Sequence, residues 1–133
     1  MSGADPPLRE PLRVSILAQG VYLIASIHAA LDDEHFERFQ HELVERIGQR
    51  RARGVIIDVA ALDVLDSFGS RTLRDLGQVA RLRGAEIIVV GIQAEVAFAM
   101  VKFGINLDTM HTALDLEEGL ALLDQLCGAG VRQ

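Results

Sequence analysis

GVIIDVAALDVLDSFGSRTLRDLGQVARLRGAEIIVVG, residues 54–91, holds two continuous apolar runs, 54–60 and 85–91, with a helical pattern between them. A strand with one wet face alternates polar and apolar residues, whereas runs like these suit strands covered on both faces. Between them, from about Ser67 to Arg83, Phe68, Leu73, Leu76, Val79, Ala80 and Leu82 recur at helical spacing. Strand, helix and strand in that order form a crossover unit, so parallel strands joined by a right-handed connection are expected.

Upstream, 12–18 (LRVSILA) and 21–27 (VYLIASI) are β-rich runs separated by Gln19 and Gly20, the spacing of a tight hairpin. Leu31, Phe36, Phe39, Leu43, Val44 and Ile47 then mark a helix, with Asp32 or Asp33 to cap it and Gly54 to stop it. Its acids come early, and Arg50, Arg51 and Arg53 come late, which complements the helix dipole. Downstream, 93–103 reads as a third helix carrying Val96, Phe98, Met100 and Val101 and ending at Gly104. A short extended piece near 109–111 leads to a last helix, 115–126, with Leu116, Leu120, Leu123 and Leu126 inward. The expected class is α/β, with the order ββαβαβαβα: a mixed, mainly parallel sheet with an N-terminal antiparallel hairpin, covered by about four helices. Residues 1–10, with Pro6 and Pro7, read as a flexible lead-in, 11–127 as a single domain and 128–133 as a tail.

The whole chain has 133 residues, half of them hydrophobic, enough for one domain with its own core. A formal charge of −6, one lysine and no tryptophan argue against nucleic-acid binding, which draws on phosphate neutralisation and stacking. Arg, Asp and Glu interrupt every apolar run before it could span a membrane, and no secretory leader is visible. The single cysteine, Cys127, excludes an intrachain disulfide and reads as a small buried hydrophobe. A cytoplasmic location is therefore expected.

The four histidines, His28, His35, His41 and His111, lack metal-ligand spacing, and no phosphate loop or G-x-S-x-G elbow occurs. Asp58, Asp63 and Asp66 gather where one strand ends and the next helix begins, a common ligand position in open α/β sheets. They could hold magnesium in a small-ligand enzyme, or simply shape the turn and cap the helix. Ser67 admits three readings: a helix cap, a nucleophile without its usual setting, or a residue that another enzyme modifies. Phosphorylation there would add about two negative charges beside Asp66. The helix N-terminus and Arg71 would tolerate the dianion, while a partner packed on the hydroxyl and Phe68 would be repelled.

The D-S-F at a helix start (66–68), VVGIQAEVA (89–97), FGINLDTMHTALDLEEGLALL (103–123) and the opening hairpin resemble the STAS family over nearly all of 11–127. Within it they are similar to the RsbS-type scaffold and antagonist proteins of the bacterial stressosome. The resemblance implies a non-enzymatic stress-response protein that needs no cofactor or metal and is phosphorylated on Ser67 by an RsbT-type serine kinase. It also implies a large assembly with RsbR-type STAS co-scaffolds, a phosphatase that removes the phosphate, and partner contacts around Asp63, Asp66, Phe68, Gly69 and Arg71. The alternative within the family is a free-standing anti-sigma factor antagonist with the same phosphoserine switch. With only a short lead-in before residue 11, no sensory segment is expected, and the RsbS type is expected rather than the RsbR type. Gly69 and Ser70 depart from the family pattern, and Ser70 adds a second hydroxyl as an alternate phosphosite. The stretch 73–108 contains no Ser or Thr, so a second downstream phosphosite is not expected there.

Overall fold

The computed structural model describes residues 13–104 and 110–128. The lead-in, the tail beyond Gly128 and part of the extended piece near 109–111 lie outside them. Along the chain come β1 (Val14–Gln19), β2 (Tyr22–Ile27), α1 (Asp33–Arg50), β3 (Gly54–Asp58), α2 (Ser67–Leu82), β4 (Glu86–Val90), α3 (Ala94–Lys102), β5 (His111–Ala113) and α4 (Leu116–Cys127). The sheet order is β1-β2-β3-β4-β5, with β1 antiparallel to β2 and every other pair parallel. This is the expected ββαβαβαβα fold.

The strand pleat divides the core in two. Leu23, Ala25, Ile27, Val55, Ile57, Ile87 and Val89 point to the face covered by α1 and α2 through Phe36, Phe39, Leu43, Leu73 and Leu76. Tyr22, Ile56, Ile88 and Val90 point the other way, onto Leu123 of α4. Both faces of β3 and β4 are therefore dry, which explains their unbroken apolar runs. Gly119 lets α4 lie close, since a Cβ there would come within 2.8 Å of Val90 Cγ1. Tyr22 reaches across this second layer and donates its hydroxyl to Asp124 Oδ1 at 2.6 Å.

Four boundaries and faces differ from the sequence expectations. The hairpin turn is Gly20-Val21, one residue later, because Gln19 pairs with Tyr22 and Gly20 takes the positive φ of 62°. Helix α1 stops at Arg50 rather than at Gly54: Arg51 adopts φ 51°, and Ala52 N–H bonds Ile47 O at 3.0 Å, closing the helix end. Gly54 instead opens β3, where a Cβ would come within 2.6 Å of Leu123 Cδ2. In α3 only Val96 and Met100 enter the core, while Phe98 and Val101 are 76% and 78% exposed. In α4 Leu123 is the buried leucine; Leu116 and Leu126 lie at the surface, as does Leu82 at the end of α2. Helices α3 and α4 bury about one residue per turn, Val96 and Met100 in α3 and Gly119 and Leu123 in α4, so the outer members of each apolar pattern stay wet.

Candidate functional site at the start of helix α2

The loop from Asp58 to Asp66 is built before any functional residue is reached. Asp58 ends β3 and accepts the Ala60 N–H on Oδ1 at 2.9 Å, turning the chain. Val59 N–H bonds Val90 O at 3.0 Å, and Gln93 Nε2 donates to Ala60 O at 2.7 Å, tying the loop to the end of β4. Gly91, at φ 80°, permits this approach, because a Cβ would come within 2.8 Å of Ala60 Cβ. Leu62 and Leu65 are buried and anchor the loop to the core. Between them Val64 is 69% exposed.

Asp66 then caps α2: its backbone is extended and its Oδ1 accepts the Gly69 N–H at 2.8 Å. Ser67 is the first helical residue, half-buried at the rim formed by the C-terminal ends of the parallel strands. Asp63 is exposed on the approach to it, and Arg71 is exposed one turn along. Among the described residues Arg71 has no ion-pair partner, and the first turn of α2 carries no acid. The serine thus stands between two carboxylates on its N-terminal side and a guanidinium on its C-terminal side.

Phe68 and Gly69 differ from their expected places. Phe68 is half-buried and packs against the main core, so it is not an open anchor. Gly69 is buried, because a Cβ would come within 2.7 Å of the Phe36 ring. The exposed apolar side chain on the loop leading to Ser67 is Val64, which a loop without periodicity does not reveal. A small cleft also opens here, lined by Ala30, Leu31, Phe36, Val64, Leu65 and Asp66 among others.

Ser70 is fully buried at 0% exposure, with no hydrogen-bond partner for its Oγ among the described residues. A kinase cannot reach that oxygen in the folded chain, so the structure opposes its role as an alternate phosphosite. The acids do not form a metal cradle either: Asp58 and Asp66 are spent on backbone N–H groups, and no cluster of three or more His, Cys, Asp or Glu occurs among the described residues. No described helix is long and apolar enough to cross a membrane.

Comparison with known proteins agrees with this architecture. A family model described as the STAS domain matches residues 13–119. The solved structure of Moorella thermoacetica RsbS, a variant with one serine replaced by glutamate, is 34% identical with a TM-score of 0.77; the match covers 87% of this chain and 98% of that one. A chain from the molecular architecture of the stressosome, described as a signal integration and transduction hub, is also 34% identical, with a TM-score of 0.75 and coverage of 85% and 98%. The RsbT co-antagonist protein RsbRA of Bacillus subtilis is 28% identical over 90 residues, which are 68% of this chain but only 33% of that protein. The chain therefore spans about a third of that curated relative's length. The extent of the STAS match, together with the near-complete overlap with RsbS, shows that this chain belongs to the STAS domain family, as a STAS protein of the stressosome type.

Proposed function

We propose that this chain is an RsbS-type scaffold and antagonist: a single STAS domain over 11–127 that retains an RsbT-type serine kinase until Ser67 is phosphorylated. The observation that carries the reading is the setting of Ser67, a reachable hydroxyl on the first residue of a capped helix, beside exposed Val64. Esterified there, the phosphate sits on the positive end of the helix dipole within reach of Arg71, so the fold persists. A docked kinase surface, by contrast, would have to desolvate a dianion flanked by Asp63 and Asp66, which is costly without a compensating cation. The modification acts as a repulsive switch on the surface rather than on the core.

In the same reading the domain assembles with RsbR-type co-scaffolds into a large particle, and a phosphatase restores the hydroxyl. The similarity to a stressosome chain and to a co-antagonist protein supports this. The test is incubation with an RsbT-type serine kinase and Mg-ATP, followed by mass mapping and a kinase pull-down. Phosphate on Ser67, and retention of the kinase by Ser67→Ala after ATP addition, are expected. Phosphate only elsewhere, or release of the kinase from Ser67→Ala, would overturn the proposal.

A further inference from the structure

Farther along the same rim, at the β5 edge of the sheet, lies an apolar surface that the Ser67 reading does not use. Ile92, Ala97, Thr112, Ala113, Leu114 and Glu118 line an open groove of about 370 Å³ between α3, the end of β5 and the start of α4. Leu114 is 81% exposed, and α3 turns Phe98 and Val101 outward. These residues are not a frayed remnant of the core: Val96 and Met100 already satisfy the inward face of α3. Large side chains kept in water on one short helix beside a groove mark a docking surface.

The charge around the groove is one-sided. Glu95, Asp115, Glu117 and Glu118 are all exposed on the two helix starts that frame it, against Lys102 at the far end of α3. A second copy of this chain would bring the same four acids against themselves in a twofold contact, and the whole chain is at −6. The chemistry therefore favours a partner whose apolar face is bordered by Lys or Arg. A helix fits better than an added strand: β5 offers only the three residues His111–Ala113 for pairing, whereas Ala94, Ala97, Phe98 and Val101 form a stripe along two turns of α3. We infer that the α3–β5 groove is a docking site for a basic amphipathic helix of another protein.

The test uses fluorescence anisotropy with two synthetic helical peptides sharing one leucine face, one with lysines on its polar face and one with glutamates. The lysine peptide should bind the full chain, and added salt should weaken it. The double substitution Phe98→Ser with Val101→Ser should weaken binding about tenfold or more, because two central apolar anchors are lost. Glu118→Gln, which keeps an oxygen for the Leu114 N–H, should weaken it less, and Leu82→Ser, far from the groove lining, should leave it unchanged. All four side chains are exposed, so circular dichroism should show every variant folded. No binding of the lysine peptide, equal binding of the glutamate peptide, or full binding by the Phe98/Val101 variant would overturn the inference. So would a concentration-dependent dimer in sedimentation that Phe98→Ser abolishes, since a second copy would then own the surface. None of these readouts depends on Ser67, so they stand apart from the kinase assay.

Discussion

The ring of Phe36 on α1 lies against the backbone of Gly69 on α2, so close that a Cβ on Gly69 would stand 2.7 Å from both Cε2 and Cζ. The same Cβ would meet Leu65 Cδ1 at 2.8 Å. This contact sets how far the start of α2, and Ser67 with it, stands from α1. In a free helix, alanine would be favoured over glycine by about 1 kcal/mol. Here Phe36 is buried and cannot swing away, so overpacking costing ~1–3 kcal/mol outweighs that gain. Gly69→Ala should lower the urea midpoint and also slow phosphorylation of Ser67, by tilting the helix start. A midpoint at or above that of the parent protein would show that the interface yields.

Removal of the α2 cap separates local from global effects. Asp66 Oδ1 satisfies the Gly69 N–H at 2.8 Å, so Asp66→Ala should cost about 1 kcal/mol of stability in urea unfolding. Asp66→Asn, which keeps an acceptor oxygen while removing the charge, should cost less. Because the carboxylate adds to the repulsion from the phosphate, Asp66→Asn phosphorylated on Ser67 should retain more kinase in a pull-down than the phosphorylated parent. Equal losses for Ala and Asn would mean the charge, not the cap, is what α2 needs.

Strand positions and their parallel order were readable because β3 and β4 are dry on both faces, leaving unbroken runs such as Val55-Ile56-Ile57 and Ile87-Ile88-Val89. The α2 cap was readable because Asp66 precedes a strong helical period. Burial at the site was not. Ser67 and Ser70 are both serines near one helix start, and packing against the core leaves the first half open and closes the second. The exposure of Val64 is hidden in the sequence for a related reason: it sits between two buried leucines in a loop, where no period tells inside from outside. The outward turn of Phe98 and Val101 was likewise invisible, since any apolar residue at helical spacing reads as core until the width of the sheet beneath is known.

The start of α1 should respond to acid. The His35 backbone N–H, donated to Asp32 Oδ1 at 2.8 Å, holds the Asp32 carboxyl below its usual range, and the His35 ring at 2.6 Å assists. A folded-state pKa below the unfolded one contributes stability that is complete above the unfolded value, near 3.9 for Asp. That stability is lost as pH falls through the folded value. Asp32→Ala should therefore narrow the stability gap to the parent protein as pH drops below about 4. Urea midpoints taken across that range check it; a gap that stays constant would remove Asp32 from the acid response.

At the other end of the pH scale, Tyr22 is the responsive group. Burial, helped by the bond to Asp124, raises its phenol well above the ordinary value. A raised folded-state pKa means the contribution is intact below the unfolded value, near 10, and disappears as pH rises beyond it. The parent should therefore destabilise above about pH 10 more steeply than Tyr22→Phe. Near neutral pH the same variant should be about 1 kcal/mol less stable, having lost one hydrogen bond between β2 and α4. Matching alkaline slopes for the two proteins would contradict the assignment.

Ser70 gives the sharpest test of how the two serines divide. Its hydroxyl is closed off from solvent with no partner among the described residues, so the folded state carries a desolvation penalty that the unfolded state does not. Ser70→Ala removes the oxygen and leaves a methyl that the same space accommodates, and alanine is also the better helix former. The variant should be more stable by about 1 kcal/mol, read as a higher urea midpoint, while phosphorylation by the kinase proceeds at the parent rate. Ser67→Ala should do the reverse, changing stability little because the hydroxyl is half exposed, yet abolishing phosphate incorporation. Loss of phosphate incorporation in Ser70→Ala would require α2 to open its first turn to the kinase, and would shift the switch from the rim of the sheet into the helix itself.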